Sequence, residues 1–190
     1  MLVKQFLHYL LLSMVMVGIV IGTNRHNSRT AEVAAYYAAQ LMEVHNQPSF
    51  LVDLAELPPS FISGQMYGQG LKDPGFEALA TKLAKAQRTV WVMPEYNNSF
   101  PGVLKSFLDS FPFPNPLSGG RAAMVGVSAG TNGGANAMSH WADILNYVGI
   151  MVVPQRLRIY SLAKTWQNGT LQDGALAKIL SQQMAALLAN

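Results

Sequence analysis

Short runs of consecutive apolar residues recur along this chain, each followed by a polar turn and then by apolar residues at helical spacing. Met14 to Ile21, Ser49 to Leu54, Val90 to Met93, Ala122 to Val127 and Ile150 to Val153 are the runs. A strand with one wet face alternates polar with apolar, whereas these do not, so they read as parallel strands covered on both sides. The intervening stripes fit that arrangement. Val33, Tyr37, Leu41 and Val44 mark a helix from about Thr30 to Val44, and Phe76, Leu79, Ala80 and Leu83 mark one over Phe76 to Ala86. Val103, Leu104, Phe107, Leu108 and Phe111 share one side of a third helix, Ala135 to Tyr147 forms a fourth closed by Gly149, and Gly174 to Leu188 forms the last. Strand and helix therefore alternate through five strands, which predicts an α/β three-layer sandwich: a parallel sheet with helices on both faces.

Ligands in such sheets sit outside the carboxyl ends of the strands. Three turns fall there. The first, Gly22-Thr23-Asn24-Arg25-His26-Asn27-Ser28, joins a strand to a helix beginning near Thr30. Its backbone N–H groups and the positive end of the helix dipole attract an anion. Thr23, Ser28 and Thr30 can donate from hydroxyls, and Arg25 can add a charge-assisted bond. Ser28 alternatively serves as the helix N-cap, with Arg25 in solvent. The second turn follows Val90 to Met93, where Pro94 ends the strand because it has no N–H for the ladder. Glu95, Tyr96, Asn97, Asn98 and Ser99 then present donors, acceptors and an aromatic face before Pro101-Gly102 starts the next helix. The third, Ser128-Ala129-Gly130-Thr131-Asn132-Gly133-Gly134, is rich in glycine and admits the flat side of a ring. Neither the Gly-x-Gly-x-x-Gly dinucleotide pattern nor a Walker pattern is present, so a mononucleotide phosphate fits better than ATP or tightly held NAD.

Met93-Pro-Glu-Tyr-Asn-Asn-Ser-Phe-Pro-Gly-Val-Leu-Lys105, with Gly22-Thr23-Asn24-Arg25 before it and Gly126-Val127-Ser128-Ala129-Gly130 after it, resembles the NADPH-dependent FMN reductase family. The resemblance runs from about Val15 to the last helix and implies a flavodoxin-like sheet in the order 2-1-3-4-5. It implies FMN as cofactor, NADPH or NADH as electron donor, and a small-molecule electron acceptor such as a flavin, quinone, azo compound or metal oxyanion. Gly22, Thr23, Asn24, Arg25, Ser28 and Thr30 are then the phosphate grip. Pro94, Glu95, Tyr96 and Asn97 line the isoalloxazine, and Ser128, Ala129, Gly130 and Gly133 border it from the other side. No side chain is required as acid or base. The chain departs from the commoner family pattern at Ala129, where proline is frequent, and at Asn132, which leaves its acceptor preference open. The family also implies a homodimer or homotetramer, with Met66, Tyr67 and Phe113 as the candidate contact.

Two other chemistries compete. Gly126-Val127-Ser128-Ala129-Gly130 satisfies the Gly-x-Ser-x-Gly nucleophile elbow of serine hydrolases. The sole later histidine, His140, lies on the helix that elbow would start, a poor place for its base. A flavodoxin-type electron carrier would bind FMN without reducing a substrate, but such carriers are strongly acidic and this chain has a formal net charge of +3. The basic residues are scattered, which gives no nucleic-acid stripe. His8, His26, His45 and His140 show no metal spacing, and only His26 lies in a ligand turn.

With 190 residues, half of them hydrophobic, the chain suits one domain with a sizeable core. The absence of cysteine removes any disulfide framework and suits a reducing, cytoplasmic interior. The apolar stretch Phe6 to Ile21 resembles a membrane span or signal peptide, but lacks a clean pattern for either. We divide it into an N-terminal extension, residues 1–13, and a domain over 14–190 that begins with the first strand. The extension could touch a membrane surface, pack on the body, or precede a true start at Met14.

Overall fold

The computed structural model describes residues 15–62 and 72–189. The extension at residues 1–13, and with it the proposed membrane contact, lies outside these residues, as do Met66 and Tyr67. Among the described residues no helix is long and apolar enough to cross a membrane.

The elements, in order, are β1 (Val17–Ile21), α1 (Arg29–His45), β2 (Ser49–Asp53), short 3-10 turns at Leu54–Glu56 and Pro59–Ile62, α2 (Pro74–Leu83), β3 (Arg88–Pro94) and α3 (Gly102–Asp109). There follow β4 (Arg121–Val127), α4 (Ala135–Tyr147), β5 (Met151–Ile159), α5 (Leu162–Thr165), a hairpin of β6 (Trp166–Gln167) and β7 (Thr170–Leu171), and α6 (Gly174–Leu188). The five main strands are parallel in the order β2-β1-β3-β4-β5, the expected flavodoxin-like sheet.

Successive residues of each central strand serve opposite cores, as the two-residue side-chain period requires. Ile19, Val90, Val92, Ala123 and Val125 pack with Val33, Tyr37 and Leu41 of α1 and Leu176, Leu180 and Met184 of α6. Val20, Trp91, Met93, Ala122 and Met124 pack on the other face with Phe76 of α2, Phe107 of α3 and Trp141 of α4. That double burial is why the strands show no alternation in sequence. Helix starts are set by side-chain caps: Ser28 accepts from Ala31 N, Asp73 from Gly75 N and Phe76 N, and Asp173 from Ala175 N and Leu176 N.

The fifth strand is longer than expected, running to Ile159 where the sequence pattern stopped at Val153. It carries a bulge: Ala122 pairs with Val152 but Met124 with Arg156, so Val153, Pro154 and Gln155 lie opposite Ala123 alone. Pro154 is tolerated because β5 is an edge strand. The side chain of Gln183, wholly buried on α6, donates to the carbonyls of Met124 (2.8 Å) and Gln155 (2.7 Å) and so holds the irregular segment in place. The β6–β7 hairpin, absent from the sequence-based reading, turns on Asn168-Gly169, both at positive φ.

Candidate functional site

The three candidate turns leave the sheet side by side. Gly22 N donates to Val92 O (2.8 Å), Glu95 N to Val127 O (3.0 Å) and Ser128 N to Ile159 O (2.9 Å), so each turn begins as an added rung on its neighbour. The Thr23 and Tyr96 hydroxyls meet at 2.9 Å, joining turns 73 residues apart, and Thr23 is fully buried beneath them. Arg25 N donates to Thr23 Oγ1 (3.3 Å), which puts Arg25 and Tyr96 on the same rim.

At the first turn, the N–H groups of the opening turn of α1 have no intrahelical carbonyl to reach. Those of Ala31 and Glu32 fold back onto Ser28, whose Oγ lies 3.2 Å from Ala31 N. Ser28 is thus the N-cap, and its hydroxyl proton alone is left to donate outward. Thr30 is only 2% exposed. Asn24, Arg25 and His26 are exposed, and Asn27 holds a positive φ of 50° that lets the turn curl around a ligand. One basic side chain and its polar neighbours lie at the positive end of a 17-residue helix, an arrangement that attracts an anion.

The second turn is a miniature hairpin. Tyr96 N donates to Ser99 O (2.8 Å) and Ser99 N to Tyr96 O (3.0 Å), with Asn97 and Asn98 at φ 49° and 66° between them. Asparagine tolerates that left-handed backbone where most residues do not. Three side-chain bonds then fix the hairpin to α4: Glu95 Oε2 accepts from Gly134 N (3.0 Å), Asn98 Oδ1 from Asn136 Nδ2 (2.9 Å), and Ser99 Oγ pairs with His140 Nδ1 (2.9 Å). Oε2 of Glu95 is therefore held by the start of α4. Sequence reasoning missed this brace. Asn98, Asn136 and His140 carry no motif, and their meeting depends on α4 lying against the turn.

The third turn is held from the strand that the sequence pattern cut short. Arg158 on the extended part of β5 donates through Nε (2.9 Å) and Nη2 (2.6 Å) to Asn132 O, and Ser161 N donates to Gly130 O (2.7 Å). Gly133 and Gly134 have positive φ, and a Cβ on Gly126 would collide with the Gly133 carbonyl, so the turn lies directly on β4. Ser128 Oγ accepts from Gly130 N (3.1 Å), while His140 is engaged by Ser99. The hydrogen bonds that a hydrolase dyad needs between Ser128 and His140 are not made. Ala129 and Gly130 are exposed, leaving a small-residue surface opposite the Tyr96 turn.

A parallel sheet in this order, with three polar and glycine-rich turns gathered at the carboxyl ends of its strands, defines a flavodoxin-like protein. Its residues fit FMN: a dipole-backed phosphate turn beside an aromatic, amide-bearing hairpin and a glycine-rich wall. The profile of the NADPH-dependent FMN reductases matches residues 15–163, and the chain belongs to that family. It is 29% identical over 160 residues to an NAD(P)H-dependent FMN reductase of Pseudomonas aeruginosa, covering 80% of this chain and 86% of that one. To a 2-hydroxy-1,4-benzoquinone reductase of a Burkholderia species it is 31% identical over 142 residues, covering 73% and 74% of the two. In fold it matches the flavoenzyme NAD(P)H:(acceptor) oxidoreductase FerB of Paracoccus denitrificans with a TM-score of 0.72, at 24% identity and over 91% and 94% of the two chains.

Proposed function

We propose that the three turns hold FMN, with its phosphate on Gly22 to Ser28 and its ring between the Tyr96 hairpin and the Ser128–Gly134 turn, and that NAD(P)H reduces small acceptors there. Bound FMN supplies the two-electron chemistry between a nicotinamide donor and the acceptor. The protein's part is to bind, orient and exclude. Arg25 and the first turn of α1 neutralise the phosphate. Tyr96, positioned by the Thr23 hydroxyl, offers its ring to the flavin or the acceptor, and Asn97, whose amide is exposed, offers polar contacts to the ring edge. The observation that carries this reading is the Thr23–Tyr96 bond, which closes the phosphate turn onto the ring turn.

The acceptor class we favour is quinone or free flavin, following the relatives above. Ala129 and Gly130 leave the outer wall of the pocket low, which suits a flat acceptor stacking over the ring. The enzyme works as a homodimer or homotetramer in the cytoplasm, where NAD(P)H is available. Phe113 supports the first part: its side chain is 89% exposed.

The test is the absorption spectrum of protein mixed with FMN and passed through gel filtration, followed by anaerobic NADPH or NADH and then benzoquinone. Retained yellow colour, bleaching by nicotinamide and recovery with quinone are expected. Arg25→Ala should weaken FMN binding by roughly tenfold or more, the worth of one charge-assisted bond. Retained FMN that no nicotinamide bleaches would make the protein an electron carrier, and failure to retain FMN at all would sink the reading.

A further inference from the structure

The opposite end of the sheet, where the strands begin, holds a second concentration of positive charge. Arg88 and Arg121 open β3 and β4 and are paired in register, so they stand on neighbouring strands at the same level. Both guanidiniums turn toward the end of α6 and meet on one atom: Arg88 Nη2 lies 3.0 Å, and Arg121 Nη1 2.7 Å, from Ala189 O. Arg121 Nη1 also reaches Ala186 O (3.1 Å). Two like charges sharing one carbonyl repel each other, and burial together with Arg121 pulls the Arg88 pKa below its ordinary value.

No carboxylate of the described residues answers them. Among the described residues the ion pairs are Arg29–Glu32 and Lys105–Asp109, both on helix surfaces away from this edge. The segments that frame the two arginines, 84–87 and 116–120, contain no Asp or Glu, and Lys85 adds a third positive charge. Each guanidinium carries five N–H groups, and the bonds above use Nη2 of one and Nη1 of the other. A cavity of about 390 Å³ opens beside them, lined also by Gln87, Ser118, Gly119 and Gly120. Helix-end carbonyls compensate a guanidinium only in part, whereas an oxyanion accepts paired N–H bonds and cancels charge.

We propose that this cavity is a binding site for a small phosphate-bearing anion, held by Arg88 and Arg121 and distinct from the flavin phosphate turn. The N–H groups of both guanidiniums that make no bond among the described residues take the phosphate oxygens. The hydroxyl of Ser118 and the amide of Gln87 complete the polar lining. The cavity exceeds a bare phosphate, so a short organic body can accompany it.

The experiment follows the melting temperature of FMN-loaded protein against inorganic phosphate, with sodium chloride at matched ionic strength as reference. Wild type and Arg25→Gln should both show a saturable rise specific to phosphate, and Arg88→Gln and Arg121→Gln should weaken it by about tenfold or more, as loss of a charged donor to an oxyanion does. Arg121→Gln also loosens the end of α6, so Arg88→Gln, which gives up a single carbonyl contact, decides if the other variant does not fold. A parallel titration with glycerol 3-phosphate names the source: tighter binding than phosphate marks an organic ligand, equal binding the free ion. No phosphate effect beyond chloride in wild type, an effect undiminished in Arg88→Gln, or one lost in Arg25→Gln would each overturn the proposal. Should the protein not hold FMN, the same titrations on the apoprotein still read Arg88 against Arg25.

Discussion

Tyr37 is 1% exposed on the core face of α1, and its hydroxyl has no hydrogen-bond partner among the described residues. Burial alone pushes its pKa far above the ordinary tyrosine value, so it stays neutral throughout the working range. A neutral hydroxyl left unpaired is a net cost, and Tyr37→Phe should leave stability unchanged or raise it by up to about 1 kcal/mol in urea unfolding. A clear loss would reveal a partner for that hydroxyl. Asp173 presents the opposite case. It caps α6 and also accepts from Tyr160 OH (2.8 Å), and that bond, ahead of those from Leu176 N and Ala175 N, holds its pKa below the usual aspartate value. A depressed carboxyl stabilises the fold fully above its unfolded pKa and stops doing so as pH falls through the folded one. Asp173→Asn, which keeps the size and much of the capping ability, should therefore melt below wild type at pH 7. The gap should shrink as pH drops below about 4, the unperturbed aspartate value. A gap independent of pH would assign the effect to shape and not to charge.

Among the elements, β5 departs most from its sequence pattern. Its second half alternates, with Leu157 and Ile159 in the core and Arg156 and Arg158 outside, but Pro154 reads as a strand end and hides the continuation. Gln183 is what makes the bulge tenable, since both carbonyls it serves sit in the irregular stretch. Gln183→Met keeps volume and apolar fit but leaves those carbonyls bare, so the variant should lose about 2 kcal/mol or more in urea unfolding, with an unchanged denaturant slope. A loss under half that would mean water reaches the bulge. The central strands and the helices were legible because double burial writes unbroken apolar runs and 3.6-residue stripes directly into sequence. The turns at the rim were legible as polar loops at the strand ends, carrying Arg25, Tyr96 and Asn97, yet their fixing was not. The bond from Gly134 N to Glu95 exists only because α4 lies against the turn, and Arg158 acquires meaning only once the bulge sets its place on β5. Asn168-Gly169 did carry a hairpin signal, but the strands around it are two residues each and give no alternation to confirm it.

Over the whole molecule, one flank leaves large aromatic residues exposed. Phe113 and Tyr147 are each 89% exposed, and a cavity of about 470 Å³ between the end of α3 and the end of α4 is lined by Leu108, Phe111, Ile144 and Val148 beside them. A protruding ring next to an apolar hollow on the same surface suits a two-fold contact, in which each copy's ring enters the other's hollow. Lys105 and Asp109, paired at the rim of that hollow, supply the polar border such contacts have. Phe113→Glu puts a carboxylate where the ring would be desolvated, and should weaken self-association by tenfold or more in sedimentation velocity, since an aromatic anchor is worth about 2 kcal/mol. Phe113 is 89% exposed in the isolated chain and lies outside the three rim turns, so FMN binding by the dissociated variant should persist if each copy builds its pocket alone. If flavin affinity falls together with the oligomer, the partner copy supplies part of the pocket. If the variant associates as wild type does, the contact lies on another face.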